Sequence, residues 1–157
     1  EEVDERYHLE KSTEAACKYL LSAKQKFGSW TLAAASYNGG MAGISNKMDE
    51  QGVSDYYDLL LTEETSRYVF RILALKEIMK NASKYGFSIA NEALYYDIPT
   101  RKITIDTTIS NLAQFAKTQG INYKILKLHN PWLRDKKLTK PSRKKYEIEI
   151  PTSGYNK

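Results

Sequence analysis

Cysteine is nearly absent. Cys17 stands alone in 157 residues, so neither an internal disulfide framework nor a cysteine-based zinc cluster is available. Histidine is almost as scarce: His8 and His129 are the two, far apart in sequence. A histidine-rich metal site and a Cys–His catalytic pair are therefore not expected, and no cofactor is implied. Long apolar runs are lacking too. The longest stretch, Tyr68 to Met79, is broken by Arg71, Lys76 and Glu77, whereas a bilayer span needs roughly 20 apolar residues. No basic start precedes an apolar stretch, so no signal peptide is recognised. The first residue is Glu1 rather than Met, and the expectation is a fragment or processed form of a longer protein.

What is there is ordinary for a globular chain: 41% hydrophobic and 27% charged residues, which argues against a mostly disordered polypeptide. The length suits one domain, or a domain with a small module. The net charge of +5 is uneven. Residues 1–90 sum to −2 and residues 91–157 to +7. A sign change between halves suggests two units, the basic one suited to an anionic partner such as nucleic acid, a membrane surface or an acidic wall polymer.

Helical spacing dominates the first part. Ser12 or Thr13 is expected to cap a helix with the stripe Ala15, Ala16, Tyr19, Leu20, Ala23 and Phe27, ended by Gly28. Ser29 caps a second, whose inward face is expected to be Trp30, Ala33, Ala34 and Tyr37, stopped at Asn38-Gly39-Gly40. A third runs from about Gly43 to Gln51 with Ile44 and Met48 inward. Thr62 caps the longest, with Glu63 and Glu64 at its positive end, Tyr68, Val69, Ile72, Leu73 and Met79 on one face, and Gly86 as its end. From about Ala93 the pattern changes. Arg101 to Ile105 alternates as a strand, Thr108 to Gln119 reads as a helix ended by Gly120, and Asn122 caps another with Ile125, Leu126 and Leu128. A basic loop, Arg134 to Lys145, leads to a strand over Tyr146 to Ile150, closed by Pro151. The order is β-α-α-β.

The first part resembles the lytic transglycosylases, lysozyme-like enzymes that cleave peptidoglycan, and among them the membrane-bound D type. The resemblance rests on Asp4-Glu5-Arg6, Ser12-Thr13-Glu14-Ala15-Ala16, Phe27-Gly28-Ser29-Trp30, Ala35-Ser36-Tyr37-Asn38-Gly39-Gly40, and Glu64-Thr65 followed by Tyr68-Val69. It covers roughly residues 3–85. The second part resembles a LysM module, a binder of N-acetylglucosamine-containing glycans, through its β-α-α-β order, the Asn130-Pro131 turn and Ile148-Glu149-Ile150-Pro151. The Gly of the module's usual Gly-Asp-Thr opening is absent from Asp106-Thr107-Thr108.

The resemblance implies a mainly α, lysozyme-like helical domain over residues 1–90, lacking its N-terminal part. A linker and a small α+β LysM-like module follow over residues 91–157, with a core at about 100–151. It implies a single catalytic glutamate that protonates the glycosidic oxygen and then helps the 6-hydroxyl of N-acetylmuramic acid close a 1,6-anhydro ring. That glutamate belongs to a Glu-Ser motif well upstream of the Asp-Glu-Arg segment. No Glu-Ser pair occurs here, so this chain alone is expected to be inactive and no catalytic residue is assigned within it.

Tyr37, Asn38, Gly39 and Tyr68 are the candidate substrate-binding residues. A carboxamide offers donors and an acceptor to an acetamido group, and glycines let backbone approach a sugar. From spacing alone, Tyr37 and Asn38 read as a core tyrosine and a helix C-cap; the resemblance turns that reading toward the glycan. Tyr68 is as readily a core aromatic. Glu64 and Glu5 read as structural carboxylates, Cys17 as a buried, inert helix residue, and Trp132 as core.

The resemblance further implies a periplasmic or outer-membrane setting, membrane association through an N-terminal anchor outside the chain, and a monomer. Its partner would be peptidoglycan strands rather than nucleic acid. The rival reading is a protein that only holds peptidoglycan or chitooligosaccharides.

Overall fold

The computed structural model describes residues 1–139 and 145–154. It is mainly helical with one two-stranded antiparallel sheet. The chain forms two units, Glu14–Leu94, and Glu1–Thr13 together with Tyr95–Lys157. The first thirteen residues, which the resemblance places in the helical part, thus pack with the second unit.

Helix α1 spans Leu9–Phe27. It starts earlier than expected: Ser12 lies inside the first turn, its hydroxyl donating to the Leu9 carbonyl at 3.1 Å, so it is not the cap. Gly28, at φ 70°, turns the chain out of the helix. Cys17 sits on the solvent side of α1 and is exposed, against the expected burial; Ala23 is the residue of this helix that is fully buried.

Helix α2, Trp30–Gly39, begins where Ser29 accepts hydrogen bonds from the Thr31 and Leu32 amides. Its inward side is Leu32, Ala33, Ala35 and Ser36, whereas Trp30 and Tyr37 are exposed. The expected face is therefore rotated. The small residues face inward because α2 packs closely against its neighbours, and bulky rings are relegated outward. Gly40 links directly to α3, Met41–Gln51, in which Ile44 is buried and Met48 partly so.

Helix α4, Glu63–Lys80, is capped by Thr62, whose hydroxyl accepts from the Thr65 amide. It ends at Lys80; Gly86 closes the short turn of 3-10 helix over Ala82–Tyr85 instead. Thr65 and Val69 are buried, but Ile72, Leu73, Leu75 and Met79 are exposed. The core of this unit is Leu32, Ala35, Ile44, Tyr56, Leu59 and Val69. The buried Tyr56 hydroxyl donates to the Ser66 carbonyl at 2.6 Å, and burial pushes its pKa up.

In the second unit, β1 (Thr100–Ile105) pairs with β2 (Tyr146–Pro151), Ile103 opposite Ile148. Helix α5 is Leu112–Thr118, capped by Asn111. It starts later than expected because Ile109 exchanges two backbone hydrogen bonds with Leu138, each 2.8 Å, and so lies in extended chain. Helix α6, Tyr123–His129, is capped by Asn122 as expected; Ile125 and Leu126 face inward and Leu128 outward. Leu112, Leu126, Trp132, Leu133, Ile148 and Ile150 form the core. The basic stretch Arg134 to Lys145 is described up to Thr139, and residues 140–144 lie outside the described residues.

The N-terminal segment belongs to this core. Val3 bridges antiparallel to Leu133, the Asp4 amide donates to the Trp132 carbonyl at 2.9 Å, and the Arg134 amide donates to the Glu2 carbonyl at 2.8 Å. The Glu2 carboxylate accepts from the Thr139 amide (2.6 Å) and hydroxyl (2.9 Å). His8 stacks against Trp132, which also stacks against Tyr146.

Candidate functional site

Two segments far apart in sequence meet where the end of α2 crosses the start of α4. The contact is possible because position 39 is glycine: a Cβ there would lie 3.2 Å from Thr65 Cγ2 and 3.3 Å from Thr65 Oγ1. Close passage in turn brings side chains together. Thr65 Oγ1 donates to Asn38 Oδ1 at 2.8 Å and lies 3.0 Å from the Thr62 hydroxyl. Asn38 Nδ2 reaches Glu64 Oε1 at 3.5 Å. Asn38 is thus oriented by α4 from within the last turn of α2. The C-cap is Gly40, whose amide donates to the Ser36 carbonyl, so the alternative reading of Asn38 as a C-cap does not hold.

Around this crossing lies a pocket of about 360 Å³, lined by Asn38, Gly39, Ile44, Lys47, Glu64 and Thr65 among others. It offers a carboxamide, the two hydroxyls of Thr62 and Thr65, one cation and one anion beside an apolar floor. Tyr37 and Tyr68 are not among its lining residues. Tyr37 is exposed and packs edge-on against Tyr19; Tyr68 is half-buried one turn beyond Glu64. Sequence reading missed Thr65 and Lys47. Thr65 carried a signal, being a threonine in the first turn of a helix already capped by Thr62, with a hydroxyl to spare. Lys47 carried none.

No carboxylate in this site is buried. The buried polar residues among those described are Ser36, Thr65 and Asn130. Glu64 is exposed in the first turn of α4, as expected for a helix-start carboxylate, and Glu5 pairs with Lys11 at 2.7 Å. Among the described residues no group of His, Cys, Asp or Glu is arranged to hold a metal.

In the second unit, the turn at Asn130 is structural. Its side chain is fully buried. Nδ2 donates to the carbonyls of Leu126 (3.0 Å) and Glu149 (2.7 Å), and Oδ1 accepts from the Glu149 amide at 2.8 Å. The side chain therefore mimics a strand partner for β2. Lys127 donates to the Leu133 and Asp135 carbonyls; burial, then the nearby Arg134, holds its pKa down. Trp132 is core, as expected.

Residues 1–60 match the family model of the transglycosylase SLT domain. Residues 101–154 match that of the soluble lytic transglycosylase C-terminal LysM-like domain. Two relatives are each named membrane-bound lytic murein transglycosylase D, from Escherichia coli strain K12 and Escherichia coli O6:H1 strain CFT073. Each is 35% identical over 88 residues, covering 53% of this chain and 20% of the relative. The chain spans about one fifth of the length of these relatives. Among the described residues no helix is long and apolar enough to cross a membrane. Residues 1–60 are therefore similar to a transglycosylase SLT domain and residues 101–154 to a LysM-like domain, and the chain is homologous to membrane-bound lytic murein transglycosylase D.

Proposed function

We propose that this chain is part of a peptidoglycan lytic transglycosylase that cleaves the β-1,4 bond between N-acetylmuramic acid and N-acetylglucosamine and forms a 1,6-anhydro product. Residues 1–90 serve as the catalytic-domain part and residues 91–157 as linker and LysM-like module. The observation that carries the reading is Asn38, a carboxamide held by Thr65 and aimed into a pocket whose backbone is bared at Gly39. Such a group can hydrogen-bond an acetamido substituent at both its N–H and its carbonyl. Tyr37 and Tyr68 extend the substrate surface beyond the pocket.

The general acid comes from outside this chain. Protonating a glycosidic oxygen near neutral pH requires a carboxyl held protonated by apolar burial. The described residues bury no carboxylate, and Glu64 is exposed in the first turn of α4. By analogy with the relatives' printed name, the parent protein acts on murein at the cell envelope, in the periplasm or at the outer membrane.

The test compares this chain with a version extended upstream, each incubated with purified peptidoglycan, with products read by mass spectrometry. Anhydro-muropeptides are expected from the extended protein alone. Turnover by the present chain would overturn the placement of the acid. Binding without turnover by both would favour a protein that only holds glycan.

A further inference from the structure

A larger hollow, of about 600 Å³, lies wholly within the unit formed by Glu1–Thr13 and Tyr95–Lys157. Four separate stretches wall it. His8, Leu9 and Glu10 come from the N-terminal segment and the start of α1; Asp97 and Ile98 lead into β1; Leu128 and His129 end α6, with Glu149 from β2 beside them. It shares Pro131 and Trp132 with the turn after α6, but no residue of Asp106–Thr108 lines it. It is therefore distinct from a groove between those two loops.

The walls supplied by the N-terminal segment and by the turn after α6 are built rather than loose. His8 is stacked against the buried Trp132 at a centroid distance of 6.0 Å, and the preceding residues are paired to residues 132–134. Lys102 Nζ lies 3.7 Å from Glu10 and 3.6 Å from Glu149. It joins the two carboxylates without lining the hollow, and they in turn raise its pKa.

The chemistry narrows the occupant. Glu10 and Glu149 share the single charge of Lys102, so together with Asp97 they leave an excess of negative charge that disfavours phosphate and other anions at this place. A purely apolar ligand would strip water from the same carboxylates at large cost. Yet Leu9, Leu128 and Ile98 present exposed apolar surface between them. A pyranose ring satisfies both demands: hydroxyl edges donate to carboxylates, imidazoles donate or accept, and C–H faces pack on leucine. The volume is in the range of ligand sites.

We propose that this groove binds an uncharged oligosaccharide strand, as a second glycan site of the LysM-like unit that exists only with the N-terminal segment in place. The ligand class rests on the cell-wall reading above; the site rests on the geometry.

The experiment titrates the full chain with N-acetylglucosamine tetramer while amide shifts are followed by NMR. Shifts are expected at Leu9, Asp97, His129 and Glu149. The double variant E10Q/H129A should weaken binding by roughly tenfold, the scale of a lost hydrogen bond to a charged group, with the thermal midpoint held within about 2 °C. Should that variant unfold, Leu128→Ala, on an exposed position of α6, reads the same groove. Shifts confined to Thr107, Thr108 and their neighbours would overturn the second site while leaving a LysM-type site standing. Binding of cadaverine in place of the sugar, or no binding at all, would overturn it as well. The transglycosylase reading is judged separately, by the extended protein's products.

Discussion

Position 39 shows how one atom decides a crossing. Alanine has the better helix propensity by about 1 kcal/mol, and α2 would gain from it. Against this stands Thr65, whose methyl and hydroxyl would lie 3.2 and 3.3 Å from the new Cβ, and whose hydroxyl is held by Asn38 and Thr62. A side chain so pinned yields poorly, so overpacking wins. Gly39→Ala should lower stability by about 1 kcal/mol, and Thr65→Ser, which removes the methyl, should recover part of that loss in the double variant. Denaturant melts of the three variants decide it; a stabilised single variant would show that propensity wins. Asn38→Asp adds a second test. A carboxylate could still accept from Thr65, but it would stand beside Glu64, so its stability loss should be larger at pH 7 than near pH 4, where carboxyls begin to protonate. An equal loss at both pH values would remove Glu64 from the site. Cys17, exposed on α1, should react with a thiol reagent in the native state at the rate of an open cysteine. Full protection in the folded chain would contradict that placement.

Between elements, the strongest lock is Asn130, which ties the end of α6 to β2 by three hydrogen bonds from a buried amide. Asn130→Ala leaves the Glu149 amide and carbonyl without this partner and should cost about 3 kcal/mol. Asn130→Asp should be no better, since a carboxylate cannot donate to two carbonyls; a near-native melt of either would refute the lock. The N-terminal segment makes a pH-sensitive counterpart. Hydrogen bonds from Thr139 hold the Glu2 carboxyl below its ordinary range, and Arg6 holds Asp4 at about 2. Asp4 bonds Arg6 within the segment, so the docking contact is that of Glu2: its folded pKa is depressed, and the docking it supports is present above the unfolded value of about 4 and is lost as pH falls below it. The Thr139 and Arg134 amide signals should move over that window, and Glu2→Gln should flatten the response. A response unchanged in that variant would rule Glu2 out. The sequence revealed much at this scale where a local residue carries the signal: the caps Ser29, Thr62 and Asn122, the stops at Gly28 and Gly120, and the β-α-α-β order all stand. It misled where a distant contact decides. α5 starts late because Ile109 pairs with Leu138, and α2 turns small residues inward because α4 passes so close. The fully buried Asn130 amide bonds to a strand 19 residues away, which no local pattern announces.

For the molecule as a whole, the charge break near residue 90 was readable, but the destination of the first residues was not. Nothing in Glu2-Val3-Asp4 marks it as a partner of Leu133 and Thr139, because strand pairing across more than a hundred residues leaves no periodicity in a three-residue piece. This docking has a consequence for cleavage. Residues Phe87 to Thr100 are largely exposed and hold one short turn of 3-10 helix, so limited proteolysis should cut first between Gly86 and Arg101, ahead of α4. With one chain connection severed, the N-terminal fragment still carries Glu1–Thr13, which is tied to the C-terminal fragment through Val3 at Leu133, Glu2 at Thr139 and His8 on Trp132. The two fragments should therefore co-elute on size exclusion after a single cut, and should separate once Val3→Asp places a charge against that core or the pH is taken to about 2. Fragments that part at neutral pH without further change would show that the N-terminal segment is held in place only by the intact chain, and first cuts within Thr65 to Met79 would contradict the division into two units.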